Sequence, residues 1–465
     1  MSELDHLART ARRGNQTLSI LCAMFGALVM TSVSAQQSSG LNPNQESMAL
    51  AIKNPADPLS SLCPQLVRDQ ESLNGVETQL LLRCGRVVRA TDFNEQSNAL
   101  QQITAEELSA PSTNAVDFNR SQRSNVAARL SAIRGVRIGG KLAYLDESAG
   151  GLAFDSTGGA SGEALEGRLG VFINGKLGKG DKDATDFEAG YDFDVDGLTA
   201  GLDYRFTDHF VAGVAIGYDS SDTDFDTGGS LETDNTAGSV FASWYGGNAY
   251  VDLIFTYSSV SIDSDRHVVY QISSTTNPGE TDSIDHVAEG DTDGDSTAAG
   301  LSAGYNFGSG GWQFGPTGAV SYLKVNIDGF SESGGNHPEL NLQYEDQDVK
   351  SLQLQLGFDV SYAASTSWGV LTPYARASYV WEQEDDQRVF FIRYVADPYS
   401  TAPDGGPTTA SVTSDKPDDS YLLWAVGLSA AFANGFAAFI DYESVASLDT
   451  VSYGEATIGL RYQFH

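Results

Sequence analysis

From Arg168 to the end of the chain, apolar residues alternate with small, polar or charged residues. A typical run places Leu354, Leu356 and Phe358 in alternation with Gln355 and Gly357. Successive side chains of a β-strand point to opposite faces, so this period of two predicts strands with one apolar face and one polar face. A soluble β-sandwich also buries one apolar face, so the alternation alone leaves both a sandwich and a membrane barrel open.

Two further features favour a membrane β-barrel. The apolar rows end in aromatic residues, as the two interface girdles of an outer-membrane barrel require. The connections also alternate in length, which is the pattern of short turns on one side of the membrane and longer loops on the other. The tight connections are predicted at 207–209, 246–248, 308–311, 365–368 and 434–435. The long polar loops are predicted near Asp226, Asn277, Gly335, Asp404 and Asp449.

The alternation divides the region into twelve strands, an even number that closes an antiparallel transmembrane barrel with both chain ends on the turn side. Within the second strand the apolar row changes face between Val195 and Leu198, which predicts a β-bulge. The fold class predicted is therefore mainly β, with a small helical region before the barrel. The predicted strands are 168–178, 188–206, 210–225, 232–245, 249–271, 294–307, 312–330, 341–364, 369–395, 418–433, 435–447 and 452–464.

Residues 1–35 have the pattern of a secretory signal peptide. Arg9, Arg12 and Arg13 precede a mostly apolar stretch that ends in small residues, so cleavage is predicted after Ala35. The alternative is a single membrane anchor, but the apolar stretch is short and interrupted by polar residues.

Residues 36–110 are predicted to form a small helical, passenger-like region. Residues 36–56 are rich in Gln, Ser, Asn and Pro and are interpreted as a flexible linker. Two apolar stripes at helical spacing follow, and a third short helix is expected from Ser97 to Leu108. In an oxidising compartment Cys63 and Cys84 would most simply pair and join the two helices, although two free buried thiols remain an alternative.

A basic segment, residues 111–145, separates the helical region from the strands. No acidic residue occurs between Phe118 and Leu145, although the whole chain has a net charge of -35. As a helix, residues 114–134 would be about 31 Å long, close to the thickness of the hydrocarbon core. Arg120, Arg123 and Arg134 would share one face of that helix. The alternative is a solvated surface helix or a linker.

The polar rows of the strands provide partners for those arginines. If these rows line the lumen, Asp203, Asp252, Asp359 and Asp441 point inward. Buried charges need partners, so an arginine-bearing helix inside the lumen would satisfy both sets.

Other chemistry receives little support from the sequence. The strongly acidic balance argues against nucleic-acid binding, which requires basic surface. The segment from Asp291 to Asp295 is similar to a calcium loop but lacks its glycine and its final glutamate. Asp263, Asp265 and His267 could lie at a barrel rim, where an ordinary polar strand end is the simpler interpretation. No catalytic residue, cofactor site or metal site is predicted, and the protein is not expected to be an enzyme.

Several segments resemble the autotransporter β-domain of type V secretion. They are GLTAGLDYRFTD from Gly197, VAIGY from Val214, SWGVLTPYAR from Ser367, ANGFAAFIDYE from Ala433 and TIGLRYQF from Thr457. The resemblance covers about residues 164–465. It implies a twelve-stranded barrel in the outer membrane of a Gram-negative cell, with residues 146–465 as the barrel domain. It also implies a helix in the pore, which would be residues 114–134 here.

What the resemblance implies about partners is equally specific. The barrel would contact outer-membrane lipid, periplasmic chaperones and the barrel assembly machinery, which would read Phe464 as the C-terminal signal. A monomer is expected, with the loops and the N-terminal region at the cell surface. The function expected is therefore export or display of the protein's own short N-terminal region. The alternatives are a porin-like or structural barrel with a periplasmic N-terminal region and, less economically, a hydrolase at the barrel rim.

Overall fold

The computed structural model describes residues 40–57, 59–109, 168–274, 279–432 and 435–464. The chain divides into two compact units, residues 1–41 and residues 42–465, and the second contains nearly all of the described residues. The predicted signal cleavage after Ala35 lies outside the described residues. So do the predicted pore helix and its charges Arg120, Arg123 and Arg134.

Twelve antiparallel strands close into a barrel, as the alternation predicts. Each strand pairs with its neighbours in sequence, and β1 closes the barrel by pairing with β12 from Gly170 opposite Gln463 to Lys182 opposite Val451. The strands are β1 Leu169–Lys182, β2 Tyr191–Thr207, β3 Phe210–Phe225, β4 Gly229–Gly246, β5 Ala249–Ser273, β6 Thr281–Tyr305, β7 Trp312–Ile327, β8 Gln347–Tyr362, β9 Gly369–Glu382, β10 Ser420–Phe432, β11 Phe436–Ala446 and β12 Val451–Gln463.

The barrel has two distinct ends. At the turn end β1 begins and β12 finishes, and short connections such as 208–209 and 247–248 join the strands. At the loop end the connections 328–346 and 383–419 are long, whereas those near Asp226 and Asp449 are only three and four residues. The prediction of long loops at these two places was wrong. The backbone ladder continues through polar residues, since strand pairing does not require an apolar side chain.

The β5–β6 hairpin shows this extension most clearly, because each strand runs for 25 residues. The sixth strand begins at Thr281 and not at the predicted residue 294. Asp291 and Asp295 therefore lie within a strand and not in a calcium-type loop.

Outside the barrel, the apolar rows form an exposed band bordered by aromatic side chains. Leu253, Val240 and Ile458 are exposed on this surface although they are large and apolar, as lipid contact requires. At the turn end, aromatic rings from successive strands lie next to each other. These neighbouring pairs include Phe206–Phe210, Phe307–Phe314, Trp312–Tyr362, Trp368–Phe432 and Phe436–Tyr462.

Strand β2 contains no bulge between Val195 and Leu198, so that prediction was wrong. Its pairing with β1 and β3 is continuous there, and the register shift lies instead between Arg205 and Thr207. The apolar residues change face because their surroundings change along the strand. Tyr191 and Phe193 are buried inside the barrel near the loop end, whereas Leu198 is exposed on the outer band.

Tyr191 and Phe193 belong to a ring of apolar side chains inside the barrel near the loop end. We call this set the lumenal apolar ring. The alternation predicts that the inward residues of the strands are polar. It does not reveal the lumenal apolar ring, because the inward residues become apolar where the strands extend beyond the membrane band at the loop end. Its buried members are Tyr191, Phe193, Leu231, Val260, Ile262, Leu323, Val325, Ile327, Val349, Val380, Tyr421, Val445 and Tyr453.

The described residues before the barrel, 40–57 and 59–109, contain four α-helices and are called the helical region below. The helices are α1 Pro43–Ile52, α2 Leu62–Arg68, α3 Gly75–Arg89 and α4 Phe93–Thr104. Helix α1 replaces much of the predicted linker, because Asn42 and Gln45 form a capping box and Pro43 occupies the first turn. Helix α4 begins before the predicted Ser97 because Asp92 caps it.

The two cysteines of the helical region form a disulfide in the structure. Cys63 on α2 and Cys84 on α3 have Cα atoms 5.7 Å apart. Leu62, Leu66 and Leu80 are buried beside them. Among the described residues, no helix combines the length and apolarity needed to cross a membrane.

A small separate sheet covers part of the loop end. Its strands are Leu342–Tyr344, Val389–Tyr394 and Ala410–Thr413. The predicted strand 369–395 is therefore two strands, β9 in the barrel and Val389–Tyr394 in this loop sheet.

Candidate functional site: the lumen and the covered loop end

The lumen wall between the lumenal apolar ring and the turn end is polar, with an excess of acids. Among the described residues, seven carboxylates and four cations lie on the inward rows of this zone. The carboxylates are Asp203, Asp219, Asp252, Asp359, Asp441, Glu443 and Glu455. The cations are Lys176, Arg205, Arg376 and Arg461. The wall is thus complementary to a cationic segment.

Ion pairs already hold part of this charge. Arg376 Nη2 lies 2.9 Å from Asp441 Oδ1 and 2.9 Å from Glu443 Oε2. Lys176 and Asp219 form a second pair and are almost fully buried. Each pair joins strands that are two apart in the barrel, β9 with β11 and β1 with β3.

The structure puts all four predicted lumen acids on inward rows. Asp203, Asp252 and Asp441 are buried, and Asp359 is half-buried opposite Arg376 in the register. Ser243 Oγ donates to Asp252 Oδ1 over 2.6 Å. The period of two therefore gives the correct face for these four side chains. It does not predict the pairing of Lys176 with Asp219.

The predicted C-terminal signal Phe464 lies at the turn end, on the outside of the barrel. Its backbone N–H donates to Leu169 O over 3.1 Å, which ties it to the start of β1. Its ring packs edge-on against Tyr462, with centroids 4.9 Å apart. The side chain is exposed and so is open to contact from outside the barrel.

At the loop end, a buried ion pair joins strand β5 to the connection 328–346. Arg266 on β5 forms two hydrogen bonds to Glu332, with both distances 2.6 Å. Glu332 also accepts from Leu342 N over 2.7 Å and from Tyr344 Oη over 2.6 Å. Arg266 Nη1 donates to Gln102 O on α4 over 3.2 Å, so the same guanidinium contacts the helical region.

The surroundings of Arg266 favour its charged form. Burial alone would lower the pKa of Arg266, but Glu332, Tyr344 and Glu107 together outweigh burial and raise it. Burial raises the pKa of the Tyr344 hydroxyl well above its usual value, and Glu332 adds to that effect. The tyrosine therefore remains a hydrogen-bond donor to Glu332.

A second set of charges joins α3 to the loop end. Arg83 Nη1 lies 2.5 Å from Asp282 Oδ2, and Arg83 Nε lies 3.1 Å from Glu339 Oε1. Arg86 pairs with the same Asp282 carboxylate. Burial opposes the ionised form of Asp282, but Arg86 and Arg83 outweigh it and lower its pKa.

Two adjacent glutamates follow α4 at the same interface. Thr227 Oγ1 donates to Glu107 Oε1 over 2.8 Å, which joins the helical region to the β3–β4 connection. Burial raises the pKa of Glu107, and burial raises the pKa of Glu106 to about 8 even though Gln101 and Asn42 donate to Glu106. Both carboxyl groups are buried.

The sequence offered one signal for the loop-end network. Arg266 is an even number of residues from the buried Val260, Ile262 and Val268, so all four side chains point to the same face of β5. Arg266 is therefore a single cation in an inward apolar row. Such a residue predicts a buried partner. Nothing local identified Glu332, which lies 66 residues later.

The proposed rim residues Asp263, Asp265 and His267 occupy the outward row of β5. His267 Nε2 lies 2.8 Å from Asp285 Oδ1, and both side chains are exposed. In the part of the chain that the structure describes, no group of three or more His, Cys, Asp or Glu side chains is arranged to hold a metal ion.

The sequence of this chain matches a family model and a curated relative from Escherichia coli. A family model described as Autotransporter beta-domain matches residues 171–443. The uncharacterized protein YaiT of Escherichia coli (strain K12) is 25% identical over 280 residues, a match that covers 58% of this chain. The chain spans about a quarter of the length of that relative, since the match covers 25% of it.

Three solved translocator structures are similar in fold. The translocator domain of NalP from Neisseria meningitidis has a TM-score of 0.48 and 16% identity, covering 73% of this chain and 98% of that one. The β-domain of the Bordetella autotransporter BrkA has a TM-score of 0.43 and 18% identity, covering 64% and 100%. The transport unit of AIDA-I from Escherichia coli has a TM-score of 0.43 and 13% identity, covering 70% and 97%.

Proposed function

This chain belongs to the autotransporter β-domain family and is an outer-membrane translocator, and we propose that it displays its own helical region at the cell surface. The observation that carries the proposal is the position of the helical region. It contacts the loop end of the barrel, whereas β1 begins at the turn end. In outer-membrane barrels the short turns face the periplasm and the longer loops face outward.

The connection between the two parts supports a route through the lumen. The helical region ends at the loop end and β1 begins at the turn end, so residues 110–167 have to connect opposite ends of the barrel. This segment is rich in arginine, and charged side chains in contact with lipid are costly. The lumen wall, with more acids than cations, is the favourable path. Arg120, Arg123 and Arg134 would then face Asp203, Asp252, Asp359 or Asp441.

The same proposal specifies partners. The exposed apolar band fits outer-membrane lipid, and Phe464 would be recognised by the barrel assembly machinery after delivery by periplasmic chaperones. Closure of β1 on β12 leaves no open barrel edge, which fits a monomer.

Surface display is tested by protease accessibility on intact cells. An epitope inserted after Leu59, which is 71% exposed, should be removed by added protease. A matched epitope inserted between Gly247 and Asn248 in a tight turn should stay protected until the outer membrane is permeabilised. An epitope at Leu59 that also needs permeabilisation would contradict the proposal and support a periplasmic helical region.

Occupation of the lumen predicts a change in conductance. Deleting residues 112–135 should raise single-channel conductance in a planar bilayer several-fold, because the segment that fills the pore would be absent. Heat-modifiable migration of the deletion variant on a gel is the control that the barrel is still folded. Conductance equal to that of the parent protein would show that residues 112–135 do not fill the lumen.

A further inference from the structure

The helical region covers two free strand edges at the loop end, and it does so with side chains. The first edge belongs to the loop-sheet strand Ala410–Thr413. Its alternate amides, Ser411 N and Thr413 N, donate to Ser47 Oγ and Asn44 Oδ1 on α1, each over 2.8 Å. Asn44 Nδ2 returns a bond to Thr413 O over 3.0 Å. Asn44 and Ser47 are three residues apart, so their side chains share one face of α1. The amides of alternate strand residues point to one edge of the strand, so the two helix side chains can reach both amides.

The second edge belongs to the end of β5. Pairing with β4 stops where Gly229 faces Arg266, so no strand among the described residues pairs with the rest of β5 on that side. Val269 N donates to Gln102 Oε1 over 2.9 Å, and Ser273 N donates to Glu95 Oε2 over 2.8 Å. Helix α4 therefore satisfies backbone donors that would otherwise need water or another strand.

The contacts are distributed around the mouth of the barrel. The helical region contacts five of the six loop-end connections or the strand ends that flank them. The barrel residues that make these contacts are Phe187, Thr227, Ser273, Asp282, Glu339 and Ser411. A small body that contacts such widely separated points has to lie across the mouth and not beside it.

An apolar surface lies between these polar contacts. Ile52, Leu80 and Ile103 of the helical region line a small cavity together with Tyr270 and Tyr394 of the loop end, and all five are buried. Burial of such side chains stabilises the contact by roughly 25 cal/mol for each Å² removed from water. The interface thus combines an apolar centre with edge caps and buried ion pairs, as a permanent interface does.

We propose that the helical region is a retained lid, which remains bound across the barrel mouth after the chain between residues 110 and 167 is cut. The inference rests on the proposed function for its location at the cell surface, but the contact itself does not. The exported segment of this protein is then a fixed part of the loop end, and not a passenger released into the medium. The partner that fits the two strand edges and the Arg266 network is the chain's own residues 40–109.

Hydrogen exchange on the full-length protein in detergent tests the edge caps. In the parent protein the amides of Val269, Ser273, Ser411 and Thr413 should exchange at least about tenfold more slowly than in variants that remove their acceptors. The variants are Asn44→Ala with Ser47→Ala, and Glu95→Ala with Gln102→Ala. Equal exchange rates in the parent and in both variants would overturn the proposal.

Retention is measured on the same preparation. A site-specific protease sequence is inserted between Ser112 and Thr113, and cutting is verified on a denaturing gel. The cut helical region should elute with the barrel in size-exclusion chromatography. Separate elution from a folded barrel, or a site that is cut only together with loss of the slow amides, would overturn the proposal.

A matched control uses two exposed residues of the helical region, Lys53 and Glu71. Lys53→Ala with Glu71→Ala should leave both the slow amides and co-elution unchanged. Failure of surface display would appear only in the intact-cell experiment, since detergent removes the effect of membrane orientation. The two proposals can therefore fail independently.

Discussion

Replacing Arg266 with methionine is expected to lower the free energy of unfolding of the loop end by about 3–5 kcal/mol. The substitution keeps much of the side-chain volume but leaves the buried Glu332 carboxylate without its counter-ion. It also removes the hydrogen bond to Gln102 O, so the helical region should loosen together with the loop. The measurement is the urea dependence of trypsin cleavage within residues 40–109, with the protein in detergent.

Two further variants identify the cause. Adding Glu332→Gln to Arg266→Met should recover a large part of the lost stability, because the unpaired charge is gone. The amide oxygen of the glutamine can still accept from Leu342 N, and its NH2 group can donate to the Tyr344 hydroxyl oxygen. Lys179→Ala breaks an ion pair with Asp194 whose side chains are 82% and 61% exposed, and it should change stability by less than about 1 kcal/mol. A loss below 1 kcal/mol for Arg266→Met would show that the network does not hold the loop end.

Removing the disulfide is expected to lower the stability of the helical region by about 3 kcal/mol, from the chain entropy of a 21-residue separation. The variant is Cys63→Ala with Cys84→Ala, and the same cleavage experiment gives the measurement. Helices α2 and α3 would then be joined only by the connection 69–74 and their packing. Short helices are marginal without such support.

Reductant provides the control for this prediction. Reducing the parent protein should reproduce the effect of the double variant, and reductant should have no effect on the variant itself. An unchanged cleavage profile after verified reduction would show that docking on the barrel, and not the disulfide, supports these helices.

The Arg266 and cysteine variants also differ in the part of the structure that they weaken. The first weakens the interface around an intact helical region, and the second weakens the region itself.

The sequence was sufficient for the barrel because strand faces follow a strict period of two. Leu354, Leu356 and Phe358 could be assigned to the outer surface without any knowledge of their neighbours in space. The resemblance of segments such as the one from Gly197 predicts the autotransporter β-domain family, and the match over residues 171–443 confirms that family.

The ends of the elements were less predictable. Polar residues near Asp226 and Asp449 indicated loops, but cross-strand hydrogen bonds extend the hairpins through them. In β2 the period of two holds throughout. Leu198 faces lipid on the outside of the barrel, whereas Phe193 belongs to the lumenal apolar ring on the inside. A sequence pattern cannot show where the surrounding medium changes, so a face change was mistaken for a bulge.

By itself, the sequence determined the class of the fold and the direction of each side chain along the strands, because both depend on local spacing. It also indicated the acidic lumen through Asp203, Asp252, Asp359 and Asp441, since parity alone puts them on inward rows. Only the tertiary structure decided that the helical region lies on the loop end. That position depends on contacts between residues far apart in the chain, such as Asn44 with Thr413 and Arg266 with Glu332. Such contacts form only when closure of the barrel brings the loops together, so no local pattern can encode them.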